Sequence, residues 1–144
     1  MKRTTTPYIA SIAAVATIVT SAALAAMNPA QKALYEAHIT AAKTADAAFK
    51  EFSSERGKAF FQGTHKGGKP DSPSCTSCHT ADLTKPGRTR AGKEIGPMAA
   101  SLAPTRFTDP ANVEKWFKRN CNDVLGRECT ITEKGDVLAY LLSL

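Results

Sequence analysis

The segment Cys75-Thr76-Ser77-Cys78-His79 constrains this chain more than any other. Two cysteines three apart, with histidine next, read as a covalent c-type haem attachment site. Positions i and i+3 share one face of a helical turn. Cys75 and Cys78 can therefore each form a thioether to one vinyl group of the same haem. His79 can then turn its imidazole beneath the iron as the proximal ligand. With four cysteines and three histidines in 144 residues, chance would supply the pattern only about 0.002 times. Large aliphatic residues are sparse and much of the apolar content is alanine, so a buried haem would supply the missing core volume.

The N-terminus suits that chemistry. Lys2 and Arg3 precede an uncharged stretch, Tyr8 to Ala26, that ends in small residues. Ala23-Leu24-Ala25 has the small-x-small pattern of a signal-peptidase site. Residues 1–25 are expected to be a signal peptide, cleaved near Ala25 or Ala26. An uncleaved anchor is the alternative. The stretch is nearly long enough, but it is rich in Ala, Ser and Thr and poor in Leu. No later segment could span a membrane, so no stable membrane insertion is expected after cleavage, and the expected location is the periplasm. Haem attachment of this kind takes place outside the bacterial cytoplasm. That compartment permits disulfides, which leaves Cys121 and Cys129 free to pair.

After cleavage about 119 residues remain, the size of one domain. Seventeen basic residues then face thirteen acidic ones, and two haem propionates would bring the net charge from +4 to about +2. A secreted haem protein does not meet nucleic acid. The mild positive excess suits propionate neutralisation and docking to an acidic partner.

Asn28-Pro29 is a helix start, Asn as N-cap and Pro at the first position, and residues 30–42 are helix-prone. His38 lies there as a surface or half-buried helix residue. Ser53-Ser54 can cap a second helix, about 55–62, carrying Gly57, Phe60 and Phe61. A Gly/Pro-rich loop, 63–74, holds His65, which such a loop would position poorly as an iron ligand. The long loop 83–107 follows the haem motif, and such length usually means function or a cofactor to wrap. Lys85, Arg88, Arg90 and Lys93 lie in it; Arg88 and Arg90 are the candidate propionate partners. Met98, in the same loop, is a candidate thioether ligand.

Asp109-Pro110 opens a third helix. Val113, Trp116, Phe117 and Asn120 fall at i, i+3, i+4 and i+7 on one face. Three are large and apolar, with Trp116 a candidate haem contact. The fourth is an amide delivered to the same side, where it needs a partner, and haem iron would be one. A bridge between Cys121 and Cys129 would close a nine-residue loop beside Asn120, worth about 2.5 kcal/mol in loop entropy. Thr130 and Glu133 make a capping box ahead of the stripe Val137, Leu138, Leu141 and Leu142. No repeat and no alternating run argues for a sheet. The expected class is all-α.

Taken together, the chain from about Glu51 to Leu142 resembles the sphaeroides haem protein (SHP) type of cytochrome c, within the class I superfamily. The resemblance rests on Gly68-Lys69-Pro70-Asp71, Gly92-Lys93-Glu94-Ile95, Arg106-Phe107-Thr108-Asp109, Val113-Glu114-Lys115-Trp116, Arg119-Asn120-Cys121-Asn122 and Gly126-Arg127. It implies a class I cytochrome c fold with one covalent haem c, in which Gly57 lets the first helix cross the last, around Tyr140-Leu141. It implies iron held by His79 and, in the oxidised state, by the amide of Asn120, with a Cys121–Cys129 disulfide beside it. The amide leaves on reduction and opens a site for oxygen, nitric oxide or similar small gaseous ligands. The implied electron donor is a multihaem cytochrome c. The implied organisation is a signal peptide (1–25), an N-terminal helical extension (26–50) and a cytochrome c domain (51–144).

Two ligations stay open at this point. An amide oxygen is a hard, weak donor that suits ferric iron better than ferrous iron. A His79/Met98 pair would instead make a simple electron-transfer cytochrome. Met98 is 19 residues beyond His79, whereas Asn120 is 41 beyond and just ahead of the final helix. Oxygen, peroxide or nitric oxide turnover at an open ferrous haem is also open, since no motif fixes a proton donor. A redox Cys-x-x-Cys would follow a strand, which Pro70-Asp71-Ser72-Pro73-Ser74 is not, and Cys121 and Cys129 are spaced unlike a zinc knuckle.

Overall fold

The structure, a computed structural model, describes residues 27–144; the expected signal peptide, residues 1–25, lies outside them. Helix α1 (Pro29–Ala45) starts where Asn28 predicts. The Asn28 side chain accepts from the Gln31 N–H at 3.0 Å, and the Gln31 side chain accepts from the Asn28 N–H at 3.1 Å. Two otherwise orphaned donors are satisfied reciprocally. Helix α2 (Ser54–Gln62) is capped by Ser53. The haem motif forms a single turn, α3 (Thr76–His79). Helix α4 (Pro110–Leu125) begins at Asp109, whose carboxylate accepts from the N–H groups of Ala111 and Asn112. Helix α5 (Ile131–Leu142) opens on the Thr130/Glu133 capping box.

The fold is mostly helical, as expected, with one small local departure. The loop after the haem motif carries a small antiparallel hairpin, β1 (Gly87–Arg88) and β2 (Glu94–Ile95), with Gly87 opposite Ile95 and Arg88 opposite Glu94. Two residues per strand are too few for a period-two pattern to register in the sequence.

Helix α5 is the common element, packing against both α2 and α1. At the α2 crossing the backbones touch: a Cβ built on Gly57 would lie 1.9 Å from the Asp136 carbonyl oxygen. Only glycine permits that approach. Beside it the buried Asp136 carboxylate accepts from Arg56 Nε at 2.7 Å, Arg56 Nη2 at 2.8 Å and the Ser53 N–H at 2.7 Å. A buried charge with this many partners is tolerated.

Two apolar clusters meet on α5. One joins Leu34, Tyr35 and Ala42 of α1 to Phe52, Val113, Leu138 and Leu142, so the segment expected as an extension contributes to the core. The other joins Phe61, Leu83, Val137, Tyr140 and Leu141, with Cys75 and Met98 packed against it. His38 is more buried than a helix-surface position would be, because α4 covers it. Its Nδ1 lies 3.0 Å from the Leu34 carbonyl oxygen and its Nε2 lies 3.3 Å from Glu114 Oε1. Among the described residues no helix is long and apolar enough to cross a membrane.

The crossing makes a direct prediction. Gly57→Ala forces a methyl into backbone that cannot swing aside, and overpacking of this kind costs about 1–3 kcal/mol. Thermal unfolding followed by circular dichroism should show Tm lowered by about 4 °C or more. An unchanged Tm would mean that α2 and α5 are not in backbone contact.

Candidate functional site

The haem-motif turn is pinned from two sides. Ser74, buried just ahead of it, donates from Oγ to the Phe61 carbonyl at 3.2 Å and accepts from the Thr76 N–H at 3.2 Å. This ties the turn to the end of α2. On the opposite side β1 presses against it, since a Cβ on Gly87 would lie 2.0 Å from the Cys78 carbonyl oxygen. Within the turn the His79 N–H donates to the Cys75 carbonyl at 3.1 Å, so the side chains of residues 75, 78 and 79 share a limited arc.

These side chains open onto a cavity of about 970 Å³, at the upper end of the range for cofactor sites. Cys75, Cys78, His79 and Phe61 contribute to its lining. So do Val113, Trp116, Phe117 and Asn120 of α4, and Met98, Arg106 and Phe107 of the long loop. The expected haem-attachment cysteines, Cys75 and Cys78, and the candidate ligands His79, Asn120 and Met98 all line this one cavity.

The chemistry of the lining fits a haem. His79 Nδ1 is a buried side-chain nitrogen with no hydrogen-bond partner among the described residues. Burial first, and the nearby Arg106 charge second, lower the His79 pKa to about 4. The imidazole is thus uncharged at physiological pH, the form that can donate a lone pair to a metal. The Phe61 ring lies 5.9 Å from the imidazole, centre to centre. Cys75 and Cys78 are not bonded to each other, and burial pushes the Cys75 thiol up to about 11. A protonated thiol is not poised as a redox nucleophile. Two of the four cysteines, Cys121 and Cys129, are bonded to each other, and among the described residues no group of three or more His, Cys, Asp or Glu side chains converges on a metal-sized point.

Asn120 is half-buried in the cavity wall, delivered by the fourth turn of α4. The next residue, Cys121, is joined to Cys129, with Cα atoms 5.6 Å apart. Asn122, by contrast, points its amide back to the Lys118 carbonyl at 2.7 Å.

Other expected site residues fall less well. Arg88 does not line the cavity. The pleat of β1 buries Gly87 and exposes Arg88, whose Nη1 donates to the Gly92 carbonyl at 3.3 Å. Arg90 does line it, but its guanidinium is held by the Asp71 carboxylate at 2.9 and 3.1 Å. Trp116 sits at the rim, 46 % exposed, with the Arg119 guanidinium 5.1 Å from its ring centre. A helical-face count puts it on the right side of α4, but it cannot tell the floor of a cavity from its lip. His65 stays outside, its Nε2 2.8 Å from the Phe60 carbonyl oxygen. Arg106 is in the lining; the sequence marks it only within the Arg106-Phe107-Thr108-Asp109 stretch and gives it no site role. It stands in an irregular turn with no periodicity to mark it.

Comparison with known proteins agrees with this geometry. Residues 47–141 match a family described as a domain of unknown function, DUF1924. The chain is 63% identical over 87 residues to the cytochrome c-type protein SHP of Cereibacter sphaeroides, covering 60% of this chain and 67% of that protein. The structure of oxidised SHP, described as an oxygen binding cytochrome c, superposes with a TM-score of 0.68 at 53% identity, covering 80% of this chain and 96% of that one. Cytochrome c'' of Methylophilus methylotrophus is 37% identical over 122 residues, 84% of each protein. Its solution structure, described for its bearing on haem-ligand detachment, gives a TM-score of 0.63 at 35% identity over 78% of this chain and 91% of that one. A helical fold closing around a haem-motif turn, shared at this level of identity, makes the chain a member of the SHP-type cytochromes c within the DUF1924 family, with haem c and its iron as cofactor.

Proposed function

We propose that this protein is an exported monohaem cytochrome c with a labile Asn120 ligand, binding oxygen, nitric oxide or similar small ligands at the reduced haem and exchanging electrons with a redox partner. The observation that carries the proposal is the placement of His79 and Asn120 on one cavity. Cys75 and Cys78 would hold the haem covalently and His79 would be its proximal ligand. The haem supplies an iron that changes oxidation state and accepts a further ligand when a coordination position is free.

The chain's own part is to hold a weak donor ready and keep water out. The Asn120 amide oxygen is a hard donor matched to ferric iron and poorly matched to ferrous iron. It would therefore be the ligand more readily lost on reduction. The Cys121–Cys129 link holds the chain beside it, so a departing amide has a short way to return. Val113 and Phe117 give the same helix face an apolar surface. Oxygen binding by SHP and ligand detachment in cytochrome c'' support the reading by similarity. Residues 1–25 would be the export signal, the periplasm the location, and residues 51–144 the cytochrome domain behind a 26–50 extension. The redox partner would be a multihaem cytochrome c.

Met98 supports a second reading, because it lines the same cavity. Its own surroundings favour the first. It packs with Phe61, Leu83, Tyr140 and Leu141, and Phe61 is the ring beside His79. A thioether there would make a His79/Met98 electron-transfer cytochrome that stays low-spin when reduced.

Three outcomes test the proposal. Intact mass of the exported protein should equal a chain cleaved near Ala25 or Ala26 plus one haem. The Cys75→Ala/Cys78→Ala variant should lose the covalent haem, and an apoprotein mass for the matured wild type ends the reading.

Reduced wild type should turn high-spin and take up carbon monoxide without denaturant. Asn120→Ala should abolish the ferric low-spin spectrum while Met98→Leu leaves it nearly unchanged. The reverse pattern makes this an electron-transfer cytochrome.

Non-reducing peptide mapping should recover Cys121 and Cys129 in one linked pair. Replacing both by serine should lower stability by about 2–3 kcal/mol. Two free thiols in the exported protein would remove the proposed clamp on Asn120.

A further inference from the structure

A haem brings two carboxylates, and the cavity wall must meet them. Among the described residues four permanently basic side chains line the cavity: Arg90, Lys93, Arg106 and Arg119. Arg90 is already matched by Asp71 at 2.9 Å and Asp123 at 3.7 Å. Arg119 lies over the Trp116 ring at the rim. Lys93 is exposed in the hairpin turn. Arg106 differs from all three. It is half-buried, its Nη2 donates only to the Gly96 carbonyl at 2.9 Å, and no carboxylate pairs with it among the described residues. A guanidinium partly withdrawn from water without a counter-charge carries a desolvation cost, which an anion in the cavity would offset.

The backbone around Arg106 is fastened by hydrogen bonds to its own turn and to α1. Its N–H donates to the Ala103 carbonyl at 2.9 Å. Its own carbonyl accepts from Gln31 Nε2 of α1 at 3.1 Å, and the neighbouring Pro104 carbonyl accepts from Asn28 Nδ2 at 2.8 Å. The capping-box pair of α1 thus also fastens the 104–106 turn. The next residue, Phe107, has φ +60°, a conformation that bulky side chains rarely adopt and that surrounding structure must enforce.

We propose that the Arg106 guanidinium is the anchor of one haem propionate, with Gln31 as the residue that positions it, in place of the exposed Arg88 and the already paired Arg90. The assignment rests on the haem reading above. Arginine suits the task because its planar fork can meet both carboxylate oxygens at once. Pairing cancels a negative charge close to the iron, which favours the ferrous over the more positive ferric state. Removing the guanidinium should therefore lower the midpoint potential. It should also free the propionate to take up a proton at mildly acidic pH, raising the potential again as pH falls.

The test uses the haem-loaded full protein as wild type, Arg106→Gln, Arg106→Lys, Gln31→Ala and Arg90→Gln, with intact mass and midpoint potential measured from pH 4 to 8. Arg106→Gln should keep its haem mass and shift the ferric/ferrous equilibrium about tenfold toward ferric at neutral pH, or about 59 mV for one electron. It should gain a pH dependence beyond any shown by wild type. Arg106→Lys should recover most of the shift, Gln31→Ala should show part of it, and Arg90→Gln should stay within about twofold of wild type. The other charged groups of the wall, Arg90, Lys93, Glu94, Asp109, Arg119 and Asp123, are common to wild type and Arg106→Gln, so the difference profile isolates the partner of Arg106. An unmoved potential and profile in Arg106→Gln, or a larger shift in Arg90→Gln, overturns the proposal. If Arg106→Gln does not accumulate, redox difference infrared spectra of wild type decide. One propionate should show no protonated carbonyl stretch down to about pH 5, and two protonating propionates would overturn the assignment. Absence of haem mass from wild type would sink the haem reading itself, whereas retained haem with an unmoved potential sinks only the Arg106 anchor.

Discussion

The rest of this molecule depends on one backbone contact, the crossing of α2 over α5 at Gly57 and Asp136. Because no side chain separates the two helices there, their relative position leaves little slack. The Asp136 carboxylate, shared by Arg56 and the Ser53 N–H, adds a directional lock beside the contact. Phe61 leaves the far end of α2 toward Tyr140 and His79. The Phe61 carbonyl then receives Ser74, which begins the haem turn. The position of His79 is thus set by a chain of short contacts that starts at a missing methyl group.

The cavity that results is lined both by apolar side chains, such as Phe61, Val113, Phe117 and Leu141, and by charged ones, such as Arg90, Lys93, Arg106 and Arg119. Burial keeps His79 uncharged and Cys75 protonated, both consequences of withdrawing ionisable groups from solvent. Across the space, α4 brings one amide and a set of apolar side chains. A strong, fixed second ligand would make the site a relay for electrons alone. Under the proposed reading, a weak amide beside the Cys121–Cys129 link would let ligands exchange while the helices stay packed.

The N-terminal helix gains a role from this view. Leu34, Tyr35 and Ala42 complete one apolar cluster, and Asn28 and Gln31 reach the turn ahead of Phe107. The residues that start the helix also hold the 104–106 turn beside the cavity, so helix capping and the cavity wall share the same two side chains.

Local signals carried the elements and the covalent centre. Asn28-Pro29, Ser53, Asp109-Pro110 and Thr130 with Glu133 mark helix starts, because N-caps satisfy orphan donors within three residues. Cys75, Cys78 and His79 are legible for the same reason, since one turn contains all their geometry. The helical period also placed Val113, Phe117 and Asn120 on a common face. Period alone could not say that Trp116 ends at a rim, that Arg88 turns outward on a two-residue strand, or that Asp71 already claims Arg90. Nor could it find Arg106, whose place depends on Gln31, seventy-five residues earlier in the chain. Spacing determines which side chains share a turn. Only the packing of distant segments decides which charges find partners before a cofactor does, because burial and ion pairing depend on distances through space and not along the chain.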